Sequence, residues 1–274
     1  MTHSTEARSV TVRIGNATLL DKVSFAAKPG EAIAIAGPNG AGKSTLLRAL
    51  SGDRRPDSGE IRLRGRPLAS YSPHMLARYR AVLSQSTVIA FPFTVAEVVA
   101  MGVPDGNPRG TDAMVDAGLD EVGLTGFRNR IVTTLSGGEQ HRTHLARALV
   151  QLDCGEREHG PGLLLLDEPT ASLDLHHQID FVALARKRVV QGTTVIAVLH
   201  DLNLAATFAD RVLMLHRGTV AADGAPAATI TEQLLADVFN VAVTPGSLPA
   251  SGLPFILPQM LTASRPTHRQ RSLS

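Results

Sequence analysis

The sequence is poor in several residue types, and each shortage argues against a class of protein. Tryptophan is absent, and the 274 residues hold two tyrosines and eight phenylalanines. That composition suits an aliphatic parallel sheet better than an aromatic-cored β-sandwich. The single cysteine, Cys154, rules out an intramolecular disulfide and fits a reducing compartment. The chain also lacks a strong excess of one charge: it has 27 basic and 25 acidic residues, so we expect no nucleic-acid partner.

Long apolar runs are also missing. No run approaches the roughly 18 residues that span a bilayer, and the N-terminus is polar, unlike a secretory signal. We therefore expect the chain to be soluble by itself and to reach a membrane only through a partner. The length suits one large α/β domain, which we place at residues 1–262. Residues 263–274 are predicted to be a disordered tail.

Apolar periodicity predicts alternating strands and helices. Aliphatic or β-branched runs predict strands at residues 10–14, 23–27, 32–36, 60–63, 80–83, 163–166, 195–199 and 211–215. Helical spacing predicts helices at residues 44–50, 95–101, 112–122, 138–150 and 175–190. The polar segment 151–162, punctuated by glycine and proline, is typical of a loop. These elements predict an α/β core interrupted by a helical insertion at about residues 86–155.

A glycine-rich run follows the predicted strand 32–36 and precedes a predicted helix. It fits the phosphate-loop pattern G-x-x-x-x-G-K-[ST] with Gly37, Pro38, Asn39, Gly40, Ala41, Gly42, Lys43 and Ser44, followed by Thr45. Glycines let backbone N–H groups approach phosphate closely, and the helix N-terminus adds positive potential. Lys43 would reach the β- and γ-phosphates, and the Ser44 hydroxyl would coordinate Mg²⁺. An ordinary glycine turn is the alternative, which the flanking strand and helix make remote.

Two carboxylates, Asp167 and Glu168, end the predicted strand 163–166. Downstream of a phosphate loop, Asp167 is suited to hold Mg²⁺. Glu168 is suited to polarise the attacking water, a role worth about 10²–10⁴ in rate. A solvated strand end would be the default interpretation of an isolated Asp-Glu pair.

The run Leu135-Ser136-Gly137-Gly138-Glu139-Gln140 supplies a second anion site, because a serine and two glycines open a helix. A plain serine N-cap is the alternative for the motif alone. With the motifs above, the run resembles the signature of the ABC ATPases, and the resemblance extends from about residue 10 to 240. It implies a P-loop NTPase core with an antiparallel β subdomain and an inserted helical subdomain. It also implies that two copies enclose ATP, the signature of one closing over the phosphate loop of the other.

Three further sites gain meaning only from that resemblance. Gln85 resembles the Q-loop glutamine that contacts Mg²⁺, Ser172-Leu173-Asp174 resembles the D-loop at the dimer interface, and His200 resembles the switch histidine on the γ-phosphate. One departure is Ile14, which stands where the family stacks adenine on an aromatic residue. The histidines at 141, 144, 176 and 177 lack a companion cysteine or carboxylate cluster, so we interpret them as surface residues rather than metal ligands.

The resemblance is strongest to the importers of hemin, ferric siderophores and vitamin B12. Residues 90–99, with Phe-Thr-Val-Ala-Glu-Val-Val, match that group and would receive the coupling helix of a membrane subunit; a buried hairpin is the alternative. Residues 144–147, 238–241 and 252–258, with a long loop before residue 163, favour the hemin-import ATPases. The resemblance implies two permease subunits, a periplasmic solute-binding protein and a place on the cytoplasmic face of the inner membrane. Siderophore or vitamin B12 import is the alternative cargo.

Two rivals come from other functional classes. A soluble ABC ATPase of DNA repair or translation usually carries long coiled coils or two cassettes, and neither pattern is present. A nucleotide-binding regulator without turnover would be compatible with Ile14, but Glu168 and His200 argue against it.

Overall fold

The computed structural model describes residues 3–85, 91–104, 110–171, 173–247 and 257, which form an α/β fold. The strands are β1 Thr5–Ile14, β2 Ala17–Ala27, β3 Ala32–Ala36, β4 Ser58–Leu63, β5 Arg66–Pro67, β6 Arg80–Leu83, β7 Leu163–Asp167, β8 Thr194–Val198, β9 Arg211–His216 and β10 Thr219–Gly224. The α-helices are α1 Lys43–Ser51, α2 Pro73–Tyr79, α3 Val95–Ala100, α4 Thr111–Glu121, α5 Gly137–His159, α6 Leu175–Val190, α7 Leu202–Phe208, α8 Pro226–Thr229 and α9 Glu232–Phe239. Within these ranges, none of the helices has the length and apolar character that crossing a bilayer requires.

The central sheet has six strands in the order β10-β9-β3-β8-β7-β6. Strands β9, β3, β8, β7 and β6 are parallel, and β10 is an antiparallel edge strand. Every residue of β3, β7 and β8 is buried, which explains their unbroken aliphatic sequences. The carboxyl ends of the parallel strands therefore meet at one edge of a fully covered sheet.

Alternate residues of the central strands belong to two separate cores. Ala32, Ala34 and Ala36 of β3 lie in a cluster with apolar side chains of α3, α4, α5 and α6. Ile33 and Ile35 lie on the opposite face, in a cluster with α1 and the four-stranded antiparallel sheet β2-β1-β4-β5. The period of two along each strand sorts the apolar residues between the two layers.

Helices α3, α4 and α5 lie between β6 and β7 in the chain. Helix α3 begins with a reciprocal capping box in which Thr94 and Glu97 bond each other's backbone N–H groups. Helix α5 packs against α2, α3, α4 and β6, so it connects this helical layer to the sheet.

The expected loop at residues 151–162 is wrong, because α5 continues to His159. Leu152 is buried on the helix, and Gly155 packs directly on the end of α2. A Cβ at position 155 would lie 2.1 Å from the carbonyl oxygen of Arg78. The glycine that suggested a loop therefore serves close packing of the helix.

A buried ion network joins α6 to the helical layer. Arg188 of α6 bonds Asp153 of α5 and Glu121 of α4. Only 7 % of the Arg188 side chain is exposed. Burial alone would lower the pKa of Arg188, but the hydrogen bonds and negative charges of its two partners raise it. Three helices thus share one desolvated cation.

Candidate functional site

The phosphate loop lies between β3 and α1, as the motif predicts. Gly37 and Gly42 both have positive φ, at 141° and 100°. A Cβ would lie 2.1 Å from the Leu215 carbonyl oxygen at position 37 and 2.7 Å from the Leu19 carbonyl oxygen at position 42. Only glycine fits at either position. Gly42 is the N-cap of α1 and offers no side-chain cap, so backbone N–H groups at this helix start stay open to an anion.

Lys43 extends back across its own loop. Lys43 is 5 % exposed, and its Nζ donates to the carbonyl oxygens of Gly37 at 2.8 Å and Pro38 at 2.9 Å. Burial lowers the pKa of Lys43, while the charges of Glu168 and Asp167 act in the opposite direction. A cation therefore lies in the cradle where phosphate would bind.

Ser44 and Asp167 form an oxygen pair. The Ser44 Oγ donates to Oδ1 of Asp167 at 3.0 Å, and Asp167, the last residue of β7, is 3 % exposed. Burial raises the pKa of Asp167, and the Ser44 hydrogen bond partly offsets this. Hydroxyl and carboxylate oxygens are the ligands that Mg²⁺ prefers, so the pair fits such an ion.

Glu168 is held on both of its carboxylate oxygens. Gln85 Nε2 donates to Oε2 at 2.7 Å, and His200 Nε2 lies 2.5 Å from Oε1. Because a carboxylate only accepts hydrogen bonds, His200 Nε2 carries the proton in this contact. Glu168 also has φ +52°, a left-handed conformation that costs a non-glycine residue about 1–2 kcal/mol. Strain of this kind clusters at functional sites.

The sheet topology explains why these side chains converge. Gly37 follows β3, Gln85 follows β6, Asp167 ends β7, and His200 follows β8, and all four strands are parallel. In α/β sheets, ligands bind outside the carboxyl ends of the strands. A cleft of about 240 Å³ lies at this edge, lined by Leu19, Asn39, Gly40, Gly42, Lys43, Ser44, Thr45, Glu168 and His200. Leu19 carried no sequence signal, because it is an ordinary apolar residue of β2.

The other predicted site residues lie elsewhere. Among the described residues, Ser136, Gly137, Gly138 and Asp174 do not line this cleft. Ser136 caps α5: its Oγ accepts from Glu139 N at 3.3 Å, and Glu139 Oε2 accepts from Ser136 N at 2.7 Å and from Oγ at 2.8 Å. These hydrogen bonds lower the pKa of Glu139.

Asp174 caps α6 in the same way, through its contacts with His177. Oδ1 accepts from the His177 backbone N at 3.0 Å and lies 2.7 Å from His177 Nδ1. These two hydrogen bonds, with burial acting against them, lower the pKa of Asp174. Ser172 of the predicted D-loop lies outside the described residues. Ser136 of the signature and Asp174 of the D-loop thus each open a helix and do not line the cleft at the phosphate loop.

The histidine expectation needs correction. His144 is 5 % exposed and belongs to the interior, not the surface. His141 has both ring nitrogens buried without a hydrogen-bond partner among the described residues, and burial lowers its pKa. No group of three or more His, Cys, Asp or Glu residues in the described ranges is arranged to hold a metal ion. Ile14 is 57 % exposed at the end of β1 and offers an apolar surface there.

A phosphate loop, a buried aspartate and a neighbouring glutamate at one sheet edge define a P-loop nucleoside triphosphatase. The ABC transporter family model matches residues 20–171, and the chain belongs to that family. It is therefore an ATP-binding, ATP-hydrolysing transporter subunit. The family assignment and the expected fold class are confirmed.

Several known proteins are similar along most of their length. The hemin import ATP-binding protein HmuV of Rhodopseudomonas palustris strain BisB18 is 57 % identical over 261 residues, covering 95 % of this chain and 97 % of that protein. HmuV of Rhizobium meliloti strain 1021 is 43 % identical over 93 % of this chain and 98 % of that protein.

Solved structures agree with the fold. The cbiO1 protein of Clostridium perfringens, part of the ABC transporter complex cbiONQ, has a TM-score of 0.71 at 25 % identity, covering 86 % of this chain and 94 % of that one. A bacterial Atm1-family ABC exporter with ATP bound also has a TM-score of 0.71, at 28 % identity. That match covers 83 % of this chain, which spans 39 % of the exporter.

Proposed function

We propose that this chain is the ATP-hydrolysing subunit of an importer for hemin. The assignment of hemin as the cargo rests on the 57 % identity to a hemin import ATP-binding protein along 95 % of the chain. The alternative cargoes are ferric siderophores and vitamin B12, because the residues of the cleft contact nucleotide rather than cargo.

The cleft supports hydrolysis with the following roles. Backbone N–H groups of the loop Gly37–Thr45 and the Lys43 ammonium would bind the phosphates. Ser44, Asp167 and Gln85 would hold Mg²⁺, which supplies charge neutralisation on the phosphate oxygens. Glu168 would accept a proton from the attacking water, and His200 would contact the γ-phosphate. In the present structure Glu168 is bonded on both sides, so nucleotide entry has to redirect Gln85 and His200 before Glu168 can act.

A second copy of the chain completes the site in this proposal. Ser136, Gly137 and Gly138 open α5 and do not line the cleft, and Asp174 opens α6. These groups would act on the nucleotide held by the partner copy. Preference of ATP for the closed pair would perform the mechanical work, and hydrolysis would reopen it.

The exposed residue Phe91, shortly before α3, would meet the membrane subunits. Phe91 is 68 % exposed and lies edge-on to Phe93, with 6.2 Å between ring centroids, and Phe93 packs against the helical core. An exposed aromatic residue in contact with a partly buried one suits a helix of a permease. We place the chain on the cytoplasmic face of the inner membrane, bound to two permease subunits that receive hemin from a periplasmic solute-binding protein.

The test measures ATP hydrolysis and the import of candidate cargoes by the reconstituted complex. The wild-type chain, reconstituted with its permease, is expected to hydrolyse ATP and to import hemin in preference to a ferric siderophore or vitamin B12. Glu168→Gln is expected to lose turnover by at least about 10², while retaining ATP and forming a stable dimer. A monomeric Glu168→Gln chain with ATP and permease present would contradict the shared site. Import of vitamin B12 rather than hemin would contradict the assignment of hemin as the cargo. Absence of any ATP hydrolysis would favour a nucleotide-binding regulator.

A further inference from the structure

The loop that joins β7 to α6 begins with Glu168 and ends with Asp174, the N-cap of α6. Glu168 combines a left-handed φ of +52° with the position before Pro169. Because a residue before proline favours extended backbone, this conformation is strained on two counts. Such strain persists only where the surrounding structure fixes the backbone from several directions. The contacts that shape this loop therefore decide how Glu168 is placed.

Two overlapping turns shape the loop. The Glu168 carbonyl oxygen accepts from the Ala171 backbone N at 3.2 Å, and the Thr170 carbonyl oxygen accepts from the Leu173 backbone N at 3.2 Å. The Leu173 side chain is buried in the core that α5 and α6 share. Because the turns overlap, a shift of the backbone at Leu173 would disturb the backbone that follows Glu168.

Gln178 of α6 holds the far end of this loop with its side-chain amide. Helix side chains lean toward the helix N-terminus, which directs a residue near the start of α6 back onto the preceding loop. Gln178 Nε2 donates to the Leu173 carbonyl oxygen at 3.1 Å and, more weakly, to the Thr170 carbonyl oxygen at 3.5 Å. Its backbone N donates to the Asp174 carbonyl oxygen at 2.9 Å. One residue of α6 thus binds three carbonyl groups of the loop.

Gln178 also lines a cavity of about 220 Å³ that adjoins the nucleotide cleft. The wall of this cavity includes Glu168 and His200, and both residues line the cleft as well. In the described part of the chain, Gln178 does not line the cleft itself. It is therefore close to the reacting groups without being placed to touch the nucleotide.

We propose that Gln178 is a positioning residue for Glu168. In the present structure, Gln85 and His200 hold the Glu168 carboxylate through hydrogen bonds. Nucleotide entry has to redirect both of these side chains, which leaves the backbone of the loop to aim the carboxylate at the attacking water. Gln178 keeps that backbone in shape through the Leu173 and Thr170 carbonyl groups. The inference rests on the proposed function, in which Glu168 is the general base.

The test is steady-state ATPase activity of the full chain with its permease over a range of ATP concentrations. Gln178→Met keeps an unbranched side chain of similar length but removes both donors. It is expected to lower kcat by about tenfold, because a displacement of about 1 Å at a reacting group can cost up to about 10² in rate. KM for ATP should stay within about twofold of wild type, since the contacts of the phosphate loop are unchanged.

A second variant tests the donor rather than the shape of the side chain. Gln178→Glu keeps the shape of the amide, but an ionised carboxylate only accepts hydrogen bonds and would face carbonyl oxygens that also only accept. Its kcat should be at least as low as that of Gln178→Met. A Gln178→Glu chain with wild-type kcat would show that donation by Gln178 is not required, and would overturn the positioning role.

Gln151→Met is the matched control. Gln151 of α5 also donates from Nε2 to two backbone carbonyl oxygens, those of Ala77 at 3.0 Å and Arg80 at 2.9 Å. Arg80 begins β6, at the amino end of the parallel strands, whereas Glu168 follows the carboxyl end of β7. Gln151→Met should therefore lower Tm at least as much as Gln178→Met does, but leave kcat within about twofold of wild type.

The outcomes separate this inference from the proposed function. Equal losses of kcat in Gln178→Met and Gln151→Met would trace the effect to stability and overturn the positioning role. A raised KM with unchanged kcat in Gln178→Met would do the same, because it would place Gln178 in nucleotide binding. In either case an inactive Glu168→Gln chain would leave the proposed function standing. Full activity of Glu168→Gln would instead refute the proposed function, and this inference with it.

Discussion

Removal of the buried cation Arg188 should destabilise the chain strongly. In Arg188→Met, Glu121 and Asp153 lose a partner whose side chain is only 7 % exposed, while their own side chains are 16 % and 32 % exposed. Breaking a buried ion pair from one side costs about 3–5 kcal/mol. Because Asp153 keeps partial access to water and Lys187 remains near Glu121, we expect about 3 kcal/mol.

The measurement is thermal unfolding of the full chain without nucleotide. At roughly 2–4 °C per kcal/mol for a domain of this size, Arg188→Met should lower Tm by about 6–12 °C. Arg186→Met, two residues earlier on α6, is the matched control. Its ion pair with Asp210 is exposed, with 38 % and 44 % of the two side chains accessible, so the loss should stay below about 1 kcal/mol.

A compensating variant separates charge from packing. Adding Glu121→Gln and Asp153→Asn to Arg188→Met removes the uncompensated negative charges and should restore most of the lost stability. If Arg188→Met unfolds within 2 °C of Arg186→Met, or if the two amides restore nothing, the reasoning from a desolvated network is refuted.

Three further variants test the cleft and the interior. Gln85→Ala removes a proposed Mg²⁺ ligand and should lower kcat by roughly 10–100-fold with little change in ATP affinity, measured by steady-state ATPase; an unchanged kcat would contradict that role. Glu168→Gly should be more stable than Glu168→Ala by about 1 kcal/mol in thermal unfolding, because φ is +52°; the reverse order would exclude backbone strain. His141→Phe should remove a pH dependence: burial lowers the His141 pKa, so the unfolded chain binds the extra proton and wild-type stability falls as pH drops below about 6.5. Parallel pH profiles for the two proteins would show that His141 contributes nothing.

The strands of the central sheet could be predicted because burial on both faces imposes a continuous aliphatic sequence. The bounds of β3 and of α6 agree with the expectation, β7 is one residue longer at its end, and β8 lies one residue earlier at both ends. The end of α5 could not be predicted. Gly155 has the composition of a loop, and its role appears only when α2 packs against it.

The cleft could be predicted from local motifs because topology brings the ends of four parallel strands together. Contacts between distant residues carry no such signal. Nothing in the sequence indicates that Gln85 and His200 bond the two oxygens of Glu168, or that Leu19 of β2 reaches the loop. The interior position of His144 was missed because helical spacing alone did not separate its face of α5 from the exposed one.

The contacts of Lys43 with Gly37 and Pro38 bear on how fast nucleotide associates. Two carbonyl oxygens already hold the ammonium extended and the loop in shape, so an arriving triphosphate exchanges one set of oxygens for another. The entropy cost of ordering the loop therefore arises when the chain folds and not when nucleotide binds. Association should therefore be governed by diffusion and charge, while the slower steps of the cycle fall to the meeting of two subunits.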